Sequence, residues 1–294
     1  MQIHPDTTIG TVTLRVQNLA AMRDFYARTV GLCVHAATAD AALLGTETAV
    51  LLRLLRLANG RFPLPHAAGL YHLALRVPTR ADLGHWLRHY ARRGAPYWQG
   101  GSDHGVSDAL YLSDPEGNGI EITCDHPRSR WTFAAGGQIV ALLHRLDLDA
   151  LIQTAPADRW RRLPAGTDLG HVHLKVSDLA AARAFYVDVL GFGVQTAYQN
   201  SALFLAAGGY HHHIGLNTWQ SRGGPPPPPD AYGLAEVTVR LPDTAVLATI
   251  QARLAASSIP YTLTATGDCL VQDPAGLSLR LTGQPFEINH TKET

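Results

Sequence analysis

The chain has 294 residues, a formal net charge of zero and a hydrophobic fraction of 46 %, enough for two domains with a sizeable core. This balance of charge argues against nucleic-acid and anionic-membrane partners, which attract clustered positive charge. No run of about 18 apolar residues marks a membrane span, and residues 1–12 show no secretory signal, so we expect a cytoplasmic protein. Cys33, Cys124 and Cys269 are widely spaced, which disfavours a disulfide framework or a zinc knuckle.

Three segments of the first half of the sequence return in the second half. The stretch that begins at Gly10, GTVTLRVQNLAAMRDFYARTVGL, matches GHVHLKVSDLAAARAFYVDVLGF at Gly170. GLYHLALRV at Gly69 matches GLAEVTVRL at Gly233, and LSDPEGNGIEIT is echoed by VQDPAGLSLRLT. The chain therefore consists of four related modules that begin near residues 8, 68, 168 and 232.

Each module predicts the same order of elements, β-α-β-β-β. Alternation in residues 72–77 predicts a first strand, and the 3.6-residue spacing of apolar positions in 179–186 predicts a helix. Ser177 or Asp178 is suited to cap that helix. DPEGNG, residues 114–119, predicts a tight turn before the last strand. We therefore expect an α+β fold, in which the modules pair into two domains with curved mixed sheets.

The repeats also predict the domain organisation. Modules one and two occupy residues 8–125, and modules three and four occupy residues 168–283. The connecting segment, residues 126–167, lacks the repeat, and its pattern predicts a helix at 149–153. The proline run 225–229 predicts a stiff, extended spacer between modules three and four.

The modules and their motifs GHVHLKVSDL, VLGF and YLSDPEGNGIEI resemble the vicinal-oxygen-chelate superfamily of glyoxalases, bleomycin-resistance proteins and extradiol dioxygenases, over residues 8–282. Within it they resemble catechol 2,3-dioxygenases. The resemblance implies a non-haem Fe(II) enzyme, with Mn(II) also compatible, that inserts O2 into a small aromatic diol, as in aromatic hydrocarbon catabolism. It leaves homo-oligomerisation open. Two other functions also stay open: a non-redox divalent-metal isomerase or lyase of the glyoxalase type, and a protein that sequesters an aromatic compound.

The resemblance also implies a metal site of two histidines and one glutamate. His72 and His171 each lie five residues before a valine in the first strand of a module, and Glu121 lies in the last strand of module two. Two imidazoles and a carboxylate leave adjacent coordination positions of ferrous iron open for an organic chelate and O2. The corresponding Thr11 and Arg280 are poor ligands, so modules one and four are predicted to be a non-catalytic copy.

These three ligands can meet only if modules two and three form one sheet, which leaves module one to pair with module four. The competing arrangement pairs one with two and three with four. It would offer His171, Glu236 and one histidine of the triplet at 211–213. Glu121 itself is either paired or coordinated inside the protein, because burying a bare carboxylate is costly, or it faces water on an exposed edge strand.

The three consecutive histidines precede the sequence IGLN, in the last strand predicted for module three. Neighbours on a strand point to opposite faces, so His211 and His213 are predicted to share a face and His212 to take the other. The resemblance implies an acid–base histidine here, for which His213 is the first candidate and His212 the second, since the register can slip. Histidine exchanges protons near neutral pH. All three could instead be rim residues bonded to backbone or water.

Three further side chains are candidates for the pocket. Tyr111 lies ten residues before Glu121, where the resemblance implies a tyrosine that binds a substrate oxygen. His104, on the loop GGSDHGVSD, is in a position to bind the second catechol oxygen, and His173 is on the same strand face as His171. Ordinary strand packing of Tyr111 and an exposed loop at His104 are the alternatives.

Overall fold

The computed structural model describes residues 2–140 and 142–283. In this part of the chain, strands predominate over helices and form two mixed sheets. The predicted α+β fold of βαβββ modules is confirmed. No helix within the described ranges is both long and apolar enough to span a membrane.

Each module contains one helix between its first and second strands. Module one comprises β1 (Thr8–Val16), α1 (Leu19–Phe25), β2 (Cys33–Ala37), β3 (Ala41–Gly45) and β4 (Val50–Arg56). Module two comprises β5 (Gly69–Arg76), α2 (Arg80–Arg92), β6 (Trp98–Asp103), β7 (Ser107–Ser113) and β8 (Gly119–Asp125). The connecting segment contains β9 (His144–Arg145) and α3 (Leu148–Gln153), the latter overlapping the predicted helix.

The second half repeats this order. Module three comprises β10 (Asp168–Lys175), α4 (Leu179–Arg183), β11 (Gly193–Tyr198), β12 (Ala202–Ala206) and β13 (Ile214–Asn217). Module four comprises β14 (Gly233–Arg240), α5 (Thr244–Ala256), β15 (Tyr261–Leu263), β16 (Cys269–Gln272) and β17 (Ser278–Thr282). The proline run between them lies outside helices and strands, and Pro225 accepts a hydrogen bond from the backbone of Ala68 at 3.0 Å.

Side chains that cap the first turn fix the start of each module helix. The caps of α1, α2, α4 and α5 accept hydrogen bonds from backbone amides and are Asn18, Thr79, Asp178 and Asp243. Asp178, and not Ser177, therefore caps α4. Both α1 and α4 continue into a π-helical turn, at Tyr26–Val30 and Ala184–Val189.

The two sheets draw on modules from both halves of the chain. The first sheet has the order β11-β12-β13-β10-β5-β8-β7-β6-β9 and contains modules three and two. The second has the order β15-β16-β17-β14-β1-β4-β3-β2 and contains modules four and one. At the centre of each sheet, the first strands of two modules run antiparallel, as β5 with β10 and β1 with β14. The first strands of modules two and three are thus direct neighbours.

Two buried tyrosine–aspartate hydrogen bonds join modules that do not share a sheet. Tyr26 of module one donates to Asp114 of module two at 2.9 Å, and Tyr186 of module three donates to Asp273 of module four at 3.0 Å. The other oxygen of each carboxylate accepts backbone amides of its own turn. Burial raises the pKa of Asp114 to about 6. These bonds connect the two sheets through side chains that have no access to water.

We expect the substitution Tyr26→Phe to lower the free energy of unfolding by about 1.5–3 kcal/mol, the range for a lost hydrogen bond to a charged group. Tyr186→Phe should lower it by a similar amount, because its bond to Asp273 is equivalent. Chemical unfolding followed by circular dichroism measures the change. Tyr198→Phe is the control, since Tyr198 is 51 % exposed. If both buried variants unfold like the control, the bonds do not stabilise the fold.

Candidate functional site

Three predicted ligand side chains meet on adjacent strands of the first sheet. His72 lies on β5, Glu121 on β8 and His171 on β10, and all three are buried. Oε2 of Glu121 lies 3.0 Å from Nε2 of His72 and 3.0 Å from Nε2 of His171. The two Nε2 atoms are 3.2 Å apart. The three donor atoms therefore form a nearly equilateral triangle.

The electrostatics of this triangle suit a cation. Burial alone would raise the pKa of Glu121, but the neighbouring imidazoles, His171 foremost, hold it well below its usual value. Burial lowers the pKa of His171, which favours the neutral ring that a metal requires. Nδ1 of His171 is buried and has no hydrogen-bond partner within the described residues. An ionised carboxylate and two imidazole nitrogens thus converge on one point in the interior of the protein.

The spacing of the donors fits a metal ion. Two ligand atoms at ~2.1 Å from an ion and at right angles to each other lie about 3.0 Å apart. Two histidines and one carboxylate on one face, with open positions opposite, form the donor set typical of non-haem Fe(II) oxygenases. The residues present therefore fit the divalent metal that the sequence implies.

A second cluster of ligand-type side chains, Asp103, Asp108 and His126, is occupied by internal hydrogen bonds. Asp108 accepts from Nε of Arg80 at 2.7 Å and lies 2.9 Å from Nε2 of His126. Asp103 accepts the backbone amide of Gly105 at 2.7 Å. The cluster fixes the β6–β7 turn and needs no ion.

The corresponding positions of the second sheet hold an ion pair. Nε of Arg280 donates to Glu236 at 2.8 Å, and Oγ1 of Thr11 donates to the carbonyl of Val50 at 3.2 Å. Glu236 lies on β14, whereas His171 lies on β10 of the other sheet. The alternative metal site of His171, Glu236 and a triplet histidine is therefore wrong.

The ligand triangle lies in the wall of a cavity of about 560 Å³. Away from the ligands, the walls contain the polar side chains of Gln99, Ser102, Ser107, Thr196 and Gln220 together with an apolar and aromatic set, which consists of Leu70, Tyr71, Val106, Ile120, Ile139, Leu142, Leu143, Phe204 and Trp219. Ile139, Leu142 and Leu143 belong to the connecting segment, whose backbone joins β11 through the amide of Ile139 and the carbonyl of Gln195 at 3.0 Å. The segment between the two halves of the chain thus closes one side of the site.

The triplet histidines precede β13 and do not belong to it, so the predicted alternation of faces is wrong. His211 and His212 both line the cavity. His213 is not among the lining residues: its Nδ1 accepts the amide of Ala207 at 3.2 Å and its ring packs on Tyr210. Burial lowers the pKa of His213 to about 3, and it holds the pKa of His212 well below its usual value as well. The cavity thus contains His212, the second candidate for the acid–base residue, and not His213, the first.

His212 lies at the end of a hydrogen-bonded chain. Its ring centroid is 4.0 Å from that of His171, and its Nδ1 lies 2.8 Å from Nδ1 of His211. Nε2 of His211 lies 2.9 Å from Oδ1 of Asp125, whose other oxygen accepts from Arg76 at 3.0 Å. Since a carboxylate only accepts, His211 donates from Nε2 to Asp125. With His211 neutral, its Nδ1 accepts from His212, which leaves Nε2 of His212 as a free acceptor.

Tyr111 and His104 lie together in the cavity wall. Tyr111 is opposite Glu121 in the pairing of β7 with β8, and its hydroxyl is 2.8 Å from Nε2 of His104. Nδ1 of His104 lies 3.2 Å from the carbonyl of Leu142, which makes Nδ1 the donor and Nε2 the acceptor of the tyrosine proton. Burial, and then the charge of Glu121, raise the pKa of Tyr111 well above its usual value. The neutral hydroxyl is therefore held in place beside the ligands.

His173 also lines the cavity, and its buried Nε2 has no partner within the described residues. Burial holds the pKa of His173 well below its usual value. Asp125, Lys175 and Trp219 were not among the residues predicted from the sequence. Lys175 could have been predicted as a pocket residue, because it continues the alternation of His171 and His173 along β10. Asp125 and Trp219 could not, because their neighbours come from distant strands.

Several known proteins are similar to this chain in sequence. A family model described as Glyoxalase/Bleomycin resistance protein/Dioxygenase superfamily matches residues 8–122 and 168–279. A Bacillus subtilis (strain 168) protein named Catechol-2,3-dioxygenase is 42 % identical over 243 residues, which are 82 % of this chain and 85 % of that protein.

Solved structures share the architecture. One from Bacillus subtilis subsp. subtilis str. 168, provisionally described as a dioxygenase, has a TM-score of 0.64, 12 % identity, and coverage of 97 % of this chain and 87 % of its own. Glyoxalase I from Zea mays has a TM-score of 0.56, 14 % identity, and coverage of 94 % of this chain and 92 % of its own. At these identities, the likeness is one of fold alone.

Proposed function

The chain belongs to the glyoxalase/bleomycin resistance protein/dioxygenase superfamily, and on that premise we propose that it is an Fe(II)-dependent extradiol dioxygenase that opens the ring of a catechol with O2. The observation that carries this proposal is the meeting of His72, Glu121 and His171 at 3.0–3.2 Å in the wall of a cavity that also contains aromatic side chains. The 42 % identity to a protein named Catechol-2,3-dioxygenase supports the same reaction class.

Nε2 of His72, Nε2 of His171 and a carboxylate oxygen of Glu121 would hold the metal. When bound, Fe(II) supplies adjacent positions for the two diol oxygens and for O2, together with the electron density that activates O2. Mn(II) fits the same donors, so the choice of iron follows the reaction class and not the ligand set.

Tyr111 and His104 would orient the diol. The Tyr111 hydroxyl, which donates to His104, can accept a hydrogen bond from a substrate hydroxyl at the same oxygen. Tyr71, Phe204 and Trp219 offer aromatic faces and edges to the flat ring. These contacts hold the ring in one orientation before any bond breaks.

His212 would transfer protons. Its ring lies against the ligand His171, and its bond to His211 leaves Nε2 available to take a proton from the diol and return it during ring opening. Asp125 and His211 fix the tautomer and the orientation of His212. They act on the reaction only through that side chain.

The test is oxygen uptake by protein loaded anaerobically with Fe(II) and mixed with catechol. We expect one O2 consumed per catechol and the absorbance of a yellow hydroxymuconic semialdehyde; loading with Mn(II) tests the second metal. Intact catechol and no oxygen uptake would refute the proposal. Oxygen-independent turnover of a glyoxalase substrate with nickel or zinc would identify the isomerase alternative instead.

A further inference from the structure

One cation lines the cavity at a distance from the metal ligands. Lys175 is half-buried on β10, on the same strand face as His171 and His173. At ~3.3 Å per residue, its Cα lies about 13 Å along the strand from that of His171. Lysine occurs elsewhere in the sequence only at position 292; the other 22 basic residues are arginine.

Lys175 has neither a hydrogen bond nor an ion pair to any residue that the structure describes. Burial lowers the pKa of its ammonium, as expected for a cation without a counter-ion. Among the described lining residues, Glu121 is the sole carboxylate, and it is committed to the ligand triangle. A divalent ion with Glu121 carries one net positive charge, which a singly ionised diol would balance. No described residue that lines the cavity then balances the positive charge of Lys175.

The internal repeat provides a comparison for this position. Lys175 corresponds to Arg76 of module two, which is bonded to Asp168 on the neighbouring strand and to Asp125 near the end of β8. Around Lys175, the equivalent positions are Gly69 on β5 and Trp219 after β13. Module three thus has a cation at this position but neither of the two carboxylates. The ring of Trp219, which lines the cavity, lies where module two has Asp125.

Asn217 adds a second donor beside it. Asn217 pairs with Lys175 in the register of β10 with β13, so the two side chains share a face of the sheet. Its Oδ1 accepts the amide of Trp219 at 3.2 Å, and its buried Nδ2 has no partner in the described part of the chain.

We propose that Lys175 is a specificity-determining residue that binds an anionic ring substituent, so that the preferred substrates are catechols that carry a carboxylate. This inference rests on the proposed function, since it assumes that the diol is held at the ligand triangle. The diol then lies at one end of the cavity and the carboxylate reaches Lys175 at the other. The ammonium gains the partner that the protein itself does not supply.

The test compares two substrates that differ in the charge of one substituent, 3,4-dihydroxyphenylacetate and its methyl ester, with the Fe(II)-loaded full chain. Dissociation constants are measured without oxygen and kcat/KM is measured in air. We expect the acid to be favoured on the order of ten- to a hundredfold in both measurements, as for a partly buried charge pair. Lys175→Met should reduce this ratio to about one or below, and Lys175→Arg should keep most of it.

Arg15→Met is the matched control, because Arg15 corresponds to Lys175 in module one and lies on the second sheet. It should leave the acid-to-ester ratio unchanged. A wild-type ratio near one, or a ratio that Lys175→Met leaves intact, overturns the inference while catechol cleavage still stands. Failure to consume oxygen with catechol, the acid and the ester alike is a different result, which refutes the proposed function itself.

Discussion

Replacing Glu121 with glutamine should remove the metal from the protein and abolish catechol cleavage without unfolding it. Glutamine has the shape of glutamate, but it lacks the charge that compensates a divalent ion among buried imidazoles. Replacing even an outer partner of a metal ligand typically weakens binding ~10–100-fold, so loss of a ligand itself should exceed about a hundredfold. Metal content after anaerobic loading and dialysis, with circular dichroism of the same sample, measures both effects.

Glu236→Gln is the control for that experiment, since Glu236 occupies the corresponding first-strand position that His72 holds in module two. It should retain the metal, because its partner Arg280 belongs to the second sheet. Added metal should raise the melting temperature of the wild type and of this control, but not that of Glu121→Gln, because only a folded protein that binds the ion gains stability. A Glu121→Gln protein that keeps its metal would refute the ligand assignment, and collapse of its circular dichroism would show that Glu121 is needed for folding.

His212→Asn should lower kcat by about 10²–10⁴, the usual contribution of a positioned acid–base group. The metal should stay bound, since the ligand triangle does not include His212. His213→Asn should change kcat far less, because His213 packs on Tyr210 and the backbone outside the cavity. Steady-state kinetics on iron-loaded variants of verified metal content separate the two residues.

The opposite order of effects, with the larger loss at His213, would mean that the triplet moves when substrate binds. Equal and large losses accompanied by loss of iron would mean that these histidines support His171 and do not transfer protons. Each outcome differs in metal content or in kcat, so the two measurements together distinguish them.

The modules and the positions of the proposed ligands could be predicted from the sequence, because both recur at fixed places in a repeat. His72 and His171 occupy the same position of two modules, and Glu121 lies where module four has Arg280. The sequence pattern alone left both module pairings possible, because the alternation of residues along a strand does not show which other strand lies beside it. The pairing of module two with module three followed instead from the requirement that His72, Glu121 and His171 meet at one metal ion.

The orientation of the three consecutive histidines was predicted wrongly from the sequence pattern. Gly208 and Gly209 both have positive φ, 59° and 68°, and they turn the chain before β13 begins. Residues 211–213 therefore lie in a bend, where successive side chains do not alternate between faces. The wall formed by Ile139, Leu142 and Leu143 could not be predicted either. It belongs to the connecting segment, which has no repeat, and the position of this segment depends on tertiary contacts with β6 and β11.

The interleaving of modules between the two sheets has a consequence for synthesis on the ribosome. When residues 8–125 have emerged, β1 and β5 each present an open edge, because their antiparallel neighbours β14 and β10 have not yet been translated. The edge of β5 stays open while about fifty further residues are added, and the edge of β1 stays open while more than a hundred are added. Such edges are prone to pair with other chains. The proposed ligand set is complete only once β10 has been translated, so we expect the metal to bind late in the synthesis of the chain.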